Sequence, residues 1–120
     1  MAAKDELGRR GEKLAAEYLQ DQGLKILARN WRCAEGELDI VATDGVATVI
    51  FCEVKTRSGT GFGTPVEAVT RGKRRRIRRL SYLWLTSQPL ESWPDRRFDV
   101  IGILMRPGAA PQLRHVRSAF

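Results

Sequence analysis

Glu53 and Lys55 stand two residues apart in "VIFCEVKTRSG", a run otherwise apolar from Val49 to Cys52 and at Val54. Side chains alternate across a strand, so Glu53, Lys55 and Arg57 share one face with Val49 and Phe51. Ile50, Cys52 and Val54 take the other face. Apolar residues on both faces mark a central strand, and charges gathered at its end mark a place where a cleft can open. Upstream, Glu37 and Asp39 in "GELDIVA" are also two apart. If they share the Glu53 face, then Asp39, Glu53 and Lys55 converge. Two carboxylates suit a hard divalent cation, Mg2+ or Mn2+, which takes oxygen ligands and keeps several waters. A lysine beside them can orient or deprotonate a water, or neutralise charge developing on a phosphate. The set is the chemistry of metal-assisted phosphodiester hydrolysis, with Asp39 and Glu53 as metal ligands and Lys55 as the catalytic lysine.

The shared face is conditional. Asp44-Gly45 is a turn dipeptide between two strands. A two-residue turn there pairs Thr43 with Val46 and Asp39 with Ile50, and paired residues share a face. Asp39 then lies opposite to Glu53. An odd-numbered loop or a bulge restores the match, so the reading predicts one.

The elements that must carry these residues follow from periodicity. Leu7, Gly11, Leu14, Ala15, Tyr18 and Leu19 form one helical stripe, which predicts a helix from about Lys4 to Gln22 closed by Gly23. Strands are predicted over Leu24–Arg32, Glu37–Ala42 and Val46–Thr56. "TPVE", from Thr64, reads as a helix start with Pro65 in the first turn, and the helix runs to about Gln88, interrupted near Gly72. "RFDVIGILM" and "QLRHVRS" are two more strands. The order α-β-β-β-α-β-β describes one domain over residues 1–120, an α/β fold with a mixed central sheet flanked by helices.

Glu12 lies at the flank of the first helix's stripe, and the small Gly8 and Gly11 let that helix approach the sheet. It is either a third carboxylate over the cleft or a solvated helix charge. Lys and Arg total 21 against 14 Asp and Glu, a net +7, and such a balance suits a polyanionic partner. Lys73 aligns with Ile77, Leu80, Ser81 and Trp84 on the inward stripe of the second helix, so it snorkels or points to the cleft. Arg74, Arg75, Arg78 and Arg79 spread round its outer faces, as solvated charges or as contacts to a phosphate backbone. Arg57 shares the site strand's face and has a better claim. The loop "RSGTGFGT" is a connection or a flap over nucleic acid; with no Gly-Lys-Ser/Thr it is not a phosphate-binding P-loop. Of the tryptophans only Trp93 stays open as a base-stacking residue. His115 receives no catalytic role, and Asp99 a structural one beside an arginine.

Other classes recede. No apolar run reaches the roughly 20 residues of a membrane span, and the charged N-terminal segment lacks a signal's apolar core. Cys33 and Cys52 form no CxxC pair, so they read as reduced thiols in a cytoplasmic protein and not as a zinc site.

"GRRGEKLAAEYL", "GELDIVA", "FCEVKTRSGTGFGTPVEAV", the lysine of "RGKRRRIRRLSYLWL", "RFDVIGI" and "RHVRSAF" together resemble the YraN-type uncharacterised bacterial family. That family resembles a branch of the PD-(D/E)xK nuclease superfamily, near the archaeal Holliday-junction resolvases. The resemblance implies a restriction-endonuclease-like core. It matches Asp39 to the motif's first acid, Glu53 and Lys55 to its E-x-K, and Glu12 to the helix-one acid of the resolvases. Leu38 stands where the motif's name has proline. The implied activity is metal-dependent cleavage of DNA, branched or structured DNA included. Resolvases of this fold act as dimers, so the junction reading carries a homodimer with it. The alternative is a nucleic-acid-binding module that keeps the fold without turnover. The acids argue against it, since binding alone needs no carboxylates facing a polyanion.

Overall fold

The predicted stripe winds into α1 (Ala3–Asp21), which buries Gly11, Ala15, Ala16 and Leu19. Gly23 ends it with a φ of +89°. Its N–H meets Gln20 O at 2.9 Å and that of Leu24 meets Leu19 O at 3.0 Å, the paired bonds that close a helix through a left-handed residue. Three antiparallel strands follow: β1 (Lys25–Cys33), β2 (Gly36–Thr43) and β3 (Thr48–Arg57). Helix α2 (Arg71–Thr86) crosses over to β4 (Asp95–Leu104), which runs parallel to β3, and β5 (Gln112–Val116) closes the far edge antiparallel to β4. The computed structural model describes residues 3–59 and 67–120. Its sheet order is the chain order, β1-β2-β3-β4-β5, and the α-β-β-β-α-β-β succession expected from the sequence is the one observed.

The two faces of the sheet are covered separately. Val49, Phe51, Phe98 and Val100 bury against Ile77, Leu80, Trp84 and Leu85 of α2. Ile40, Cys52, Val54, Ile101 and Ile103, from the alternate positions, bury against Ala15, Ala16 and Leu19 of α1. A sheet covered on both faces needs central strands without alternation, which is what β3 offers. No helix among the described residues is long and apolar enough to cross a membrane.

Two boundaries differ from expectation. The helix start placed at Thr64 and Pro65 lies outside the described residues. Glu67–Val69 form a turn and bend, and α2 begins at Arg71, where the Thr70 hydroxyl accepts from Lys73 N. Threonine is a favoured cap type, and the cap of α2 is Thr70. Gly72 therefore falls in the first turn and interrupts nothing. Strand β3 begins at Thr48 because the Asp44 carboxylate takes the N–H groups of Val46 (2.8 Å), Ala47 (3.1 Å) and Thr48 (3.1 Å) into a loop. Those bonds hold the Asp44 carboxyl below its ordinary range.

Candidate active site

The loop fixes the parity of the hairpin. Thr43 pairs with Val49, Ala42 with Ile50, Val41 with Phe51 and Ile40 with Cys52. An odd number of residues separates Thr43 from Val49, as the shared face required. Continued by one step, the register sets Asp39 opposite Glu53. Val54 N donates to Asp39 Oδ2 at 2.9 Å. Burial first, and then the charge of Glu53, push Asp39 up to about 8, against the pull of the Val54 N–H. A carboxyl group so raised is protonated at neutral pH until a cation replaces the proton.

Glu53 is only 8% exposed, yet two ammonium groups meet its Oε1: Lys55 Nζ at 3.5 Å and Lys73 Nζ at 3.3 Å. One lysine comes from the same strand and one from α2, and of the two alternatives for Lys73 the structure takes the inward one, its amine meeting Glu53. The two lysines differ. Burial, and then hydrogen bonding to Lys73, hold Lys55 below an ordinary amine. Burial also acts to lower Lys73, but its bond to Lys55 and the attraction of Glu53 outweigh it, and Lys73 is raised.

Glu12 arrives on α1 because Gly11 lets the helix touch β3. A Cβ at Gly11 would lie 1.8 Å from Thr56 Oγ1, so no other residue fits without movement. Gly8 faces open space and contributes nothing of the kind. The Glu12 carboxyl is raised by burial and then by Glu37, with a smaller push from Glu53 and an opposing pull from Arg29. Glu12 thus stands at the rim of the acid cluster, beside Glu37, which pairs with Arg32 at 3.4 Å.

Among the described residues no three His, Cys, Asp or Glu side chains close on one point tightly enough to hold a metal alone. The donor set is a pair of carboxyl groups, the oxygen donors that hard divalent cations such as Mg2+ and Mn2+ take alongside water. Asp39 and Glu53 fit that cation.

Two arginines of α2 rest on aromatic rings. Arg74 lies over the Phe120 ring at 5.7 Å and donates from Nε to Val69 O at 3.0 Å. Arg78 covers Phe98 at 5.4 Å and Phe120 at 5.8 Å. Their guanidinium groups lie over aromatic rings at cation–π distance. Arg57 is exposed at the end of β3. Arg79 forms a two-bond pair with Glu35 at 3.1 and 3.3 Å. Trp93 is 53% exposed and packs on Tyr82 with ring centres 5.4 Å apart. It shares a groove with Val46, Ala47 and Val49, at the end of β3 away from Glu53.

The sequence missed one network. Asp99, with no exposure, takes Arg97 through two bonds of 2.9 and 2.8 Å, His115 Nε2 at 2.7 Å and Ser118 N at 3.0 Å. His115 Nδ1 meets Tyr18 Oη at 3.0 Å, tying β5 and α1 to β4. Arg97 as the partner was legible, since residues two apart share a strand face. His115 joins from 16 residues away, and only the pairing of β5 with β4 brings it there.

Residues 11–103 match the uncharacterised protein family UPF0102. A UPF0102 protein of Nocardia farcinica is 55% identical over 117 residues, covering 98% of this chain and 91% of its own. One from Acidothermus cellulolyticus is 49% identical over 128 residues, covering 99% and 96%. Among solved structures, Hjc, a Holliday junction resolvase from Archaeoglobus fulgidus, aligns over 88% of this chain and 74% of its own at 17% identity, with a TM-score of 0.49.

Proposed function

We propose, for a chain that belongs to the UPF0102 family, that it is a metal-dependent endonuclease that hydrolyses phosphodiester bonds of DNA. One observation carries the reading: the half-buried Asp39 beside the buried Glu53, with two lysine amines on Glu53 Oε1 at 3.5 and 3.3 Å. A purely structural ion pair needs one cation for one anion. Here two carboxyl groups and two amines of opposite pKa shift meet at a strand end, an arrangement typical of reactive sites.

Asp39 and Glu53 would hold the cation, which when bound polarises the phosphate and acidifies an attacking water. Lys55, its basicity lowered by burial and by Lys73, is the amine able to take that water's proton. The water oxygen bonds to phosphorus as the ester P–O bond breaks, and the departing alkoxide takes a proton from solvent. Lys73 stays charged and stabilises the negative oxygens. Glu12 orients water from the rim. Arg57, Arg74 and Arg78 grip the phosphates on either side.

The test is cleavage of labelled linear and four-way-branched DNA with Mg2+, Mn2+ or chelator. Cleavage that needs metal and disappears in Asp39→Ala and Lys55→Ala supports the enzyme. Tight, salt-sensitive binding with no cutting assigns the chain to the binding module instead. Preference for the branched substrate requires two symmetric cuts, and so a homodimer in sedimentation.

A further inference from the structure

Apart from glycine, only Asn30 and Ser118 among the described residues have a positive φ, and at Asn30 it is 51°. A left-handed residue inside a strand costs about 1–2 kcal/mol, least for Asn, and persists where its surroundings demand it. Asn30 falls between the pairs Arg29↔Ile40 and Trp31↔Leu38, so its register partner is Asp39, which in turn faces Glu53. The three positions stand in a row across β1, β2 and β3.

The packing around this row is irregular in one specific way. Ala28 and Trp31 both pack on the α2 side of the sheet, and so do their partners Val41 and Leu38. Residues three apart belong on opposite faces of a regular strand. The ladder therefore turns over once between these two pairs, at the one residue of β1 with a positive φ. The Asn30 side chain then has two acceptors. With its amide nitrogen toward the acids, it donates to Glu37 Oε1 at 3.0 Å and to Glu12 Oε1 at 2.5 Å. An amide suits this place because it joins two carboxylates without adding a positive charge that would compete with a cation. Lysine or arginine would add one.

We infer that Asn30 is a positioning residue for the metal-binding carboxylates: its left-handed backbone turns the ladder over at Asp39, and its amide ties Glu12 of α1 to Glu37 of β2 beside the Asp39–Glu53 pair. The inference rests on the reading of Asp39 and Glu53 as metal ligands.

Backbone and amide separate by mutation. Asn30→Gly keeps the left-handed conformation and deletes the amide; Asn30→Ala loses both. The measurements are Mn2+ affinity of the metal-free protein by calorimetry, and its thermal midpoint. Outer-shell partners of metal ligands are worth about 10- to 100-fold in affinity. Asn30→Gly is expected to lose Mn2+ affinity by about tenfold with the midpoint kept, and Asn30→Ala to lose both. In a Glu12→Gln background Asn30→Gly should cost less than it does alone, because the amide acts through Glu12. Wild-type Mn2+ affinity in Asn30→Gly overturns the inference. If Asn30→Gly does not fold, Glu37→Ala and Glu37→Gln replace it. Both remove the charge, but only the glutamine still accepts from the Asn30 amide, so equal losses overturn the inference. Mn2+ binding that is absent from the wild type, or that survives in Asp39→Ala, overturns the proposed metal site itself, and the inference with it.

Discussion

Divalent-metal binding should tighten steeply between pH 6 and pH 8, because the cation must displace a proton from Asp39. With Asp39 near 8, the apparent dissociation constant scales as one plus the ratio of proton concentration to the acid constant. That factor is about 100 at pH 6, about 11 at pH 7 and about 2 at pH 8, an overall gain of roughly fiftyfold, or a little over 2 kcal/mol. An ordinary aspartate, with a pKa of about 3.9, would give a flat line over this range. Calorimetric titration of Mn2+ at pH 7 in two buffers of different ionisation enthalpy counts the protons, and about 0.9 should leave per metal bound. Lys55, lowered by burial, also repels a cation when charged. In Lys55→Met the slope should persist, which assigns it to Asp39. The metal-free protein gives a check of opposite sign. A carboxyl group raised in the folded state binds a proton that the unfolded chain has released, so stability falls from about pH 4 toward pH 8. Asp39→Asn should therefore raise the metal-free midpoint, and more at pH 8 than at pH 5, by at most a few kcal/mol at ~1.4 kcal/mol per pKa unit. A flat affinity from pH 6 to 8, or an unchanged slope in Asp39→Asn, would refute the coupling.

Three further outcomes follow from the same geometry. Lys73→Met frees Glu53 Oε1 from one of its two amines, so it should bind Mn2+ more tightly and DNA more weakly, with the salt slope of DNA binding reduced by about one. Gly11→Ala drives a methyl group into Thr56 and should cost about 1–3 kcal/mol in urea unfolding, most of it recovered by adding Thr56→Ala. Asp99→Ala strands the Arg97 guanidinium and His115 beside a fully buried cavity and should cost about 3–5 kcal/mol. The Asp99 carboxyl, which burial pushes up, is brought below its ordinary value by Arg97, His115 and Ser118. Its stabilisation is thus present above the unfolded pKa and lost as the pH falls through the lower folded one, and the variant should show a shallower acid limb.

What could be read from the sequence depended on how far apart in the chain the partners lie. Glu53 and Lys55 are two apart on one strand, and their shared face follows from alternation alone. Lys73 was legible because Ile77, Leu80 and Trp84 define a helical stripe that carries it inward. Asp39 required the parity of the hairpin loop, and the Asp44 side chain sets that parity through three backbone bonds that no dipeptide rule contains. The start of α2 was missed for a related reason. Thr64 and Thr70 are equally good caps by type, and the choice between them is tertiary, with Val69 only 1% exposed just ahead of the helix.

The turnover at Asn30 was not legible at all, and it bears on the chemistry. Had β1 and β2 alternated without interruption, Leu38 and its partner Trp31 would have joined Ile40 on the α1 face, and the α2 side would have lost both. The irregularity keeps Leu38 and Val41 both on the α2 side and leaves the level between the two ladder pairs to Asn30 and Asp39. Acidic groups can be gathered at this level because the apolar demand of the two cores is met on either side of it. The sheet concentrates carboxylates where its own regularity fails, and a periodic reading of the chain is blind at that level. A site built this way needs little from loops: its acids, its amide and one of its lysines sit on three adjacent strands or on the helix pressed against them by Gly11. Rigid elements hold catalytic groups more closely than loops do, and substitutions at Asn30, Gly11 and Asp44 should therefore act on metal affinity through the placement of Glu12 and Asp39.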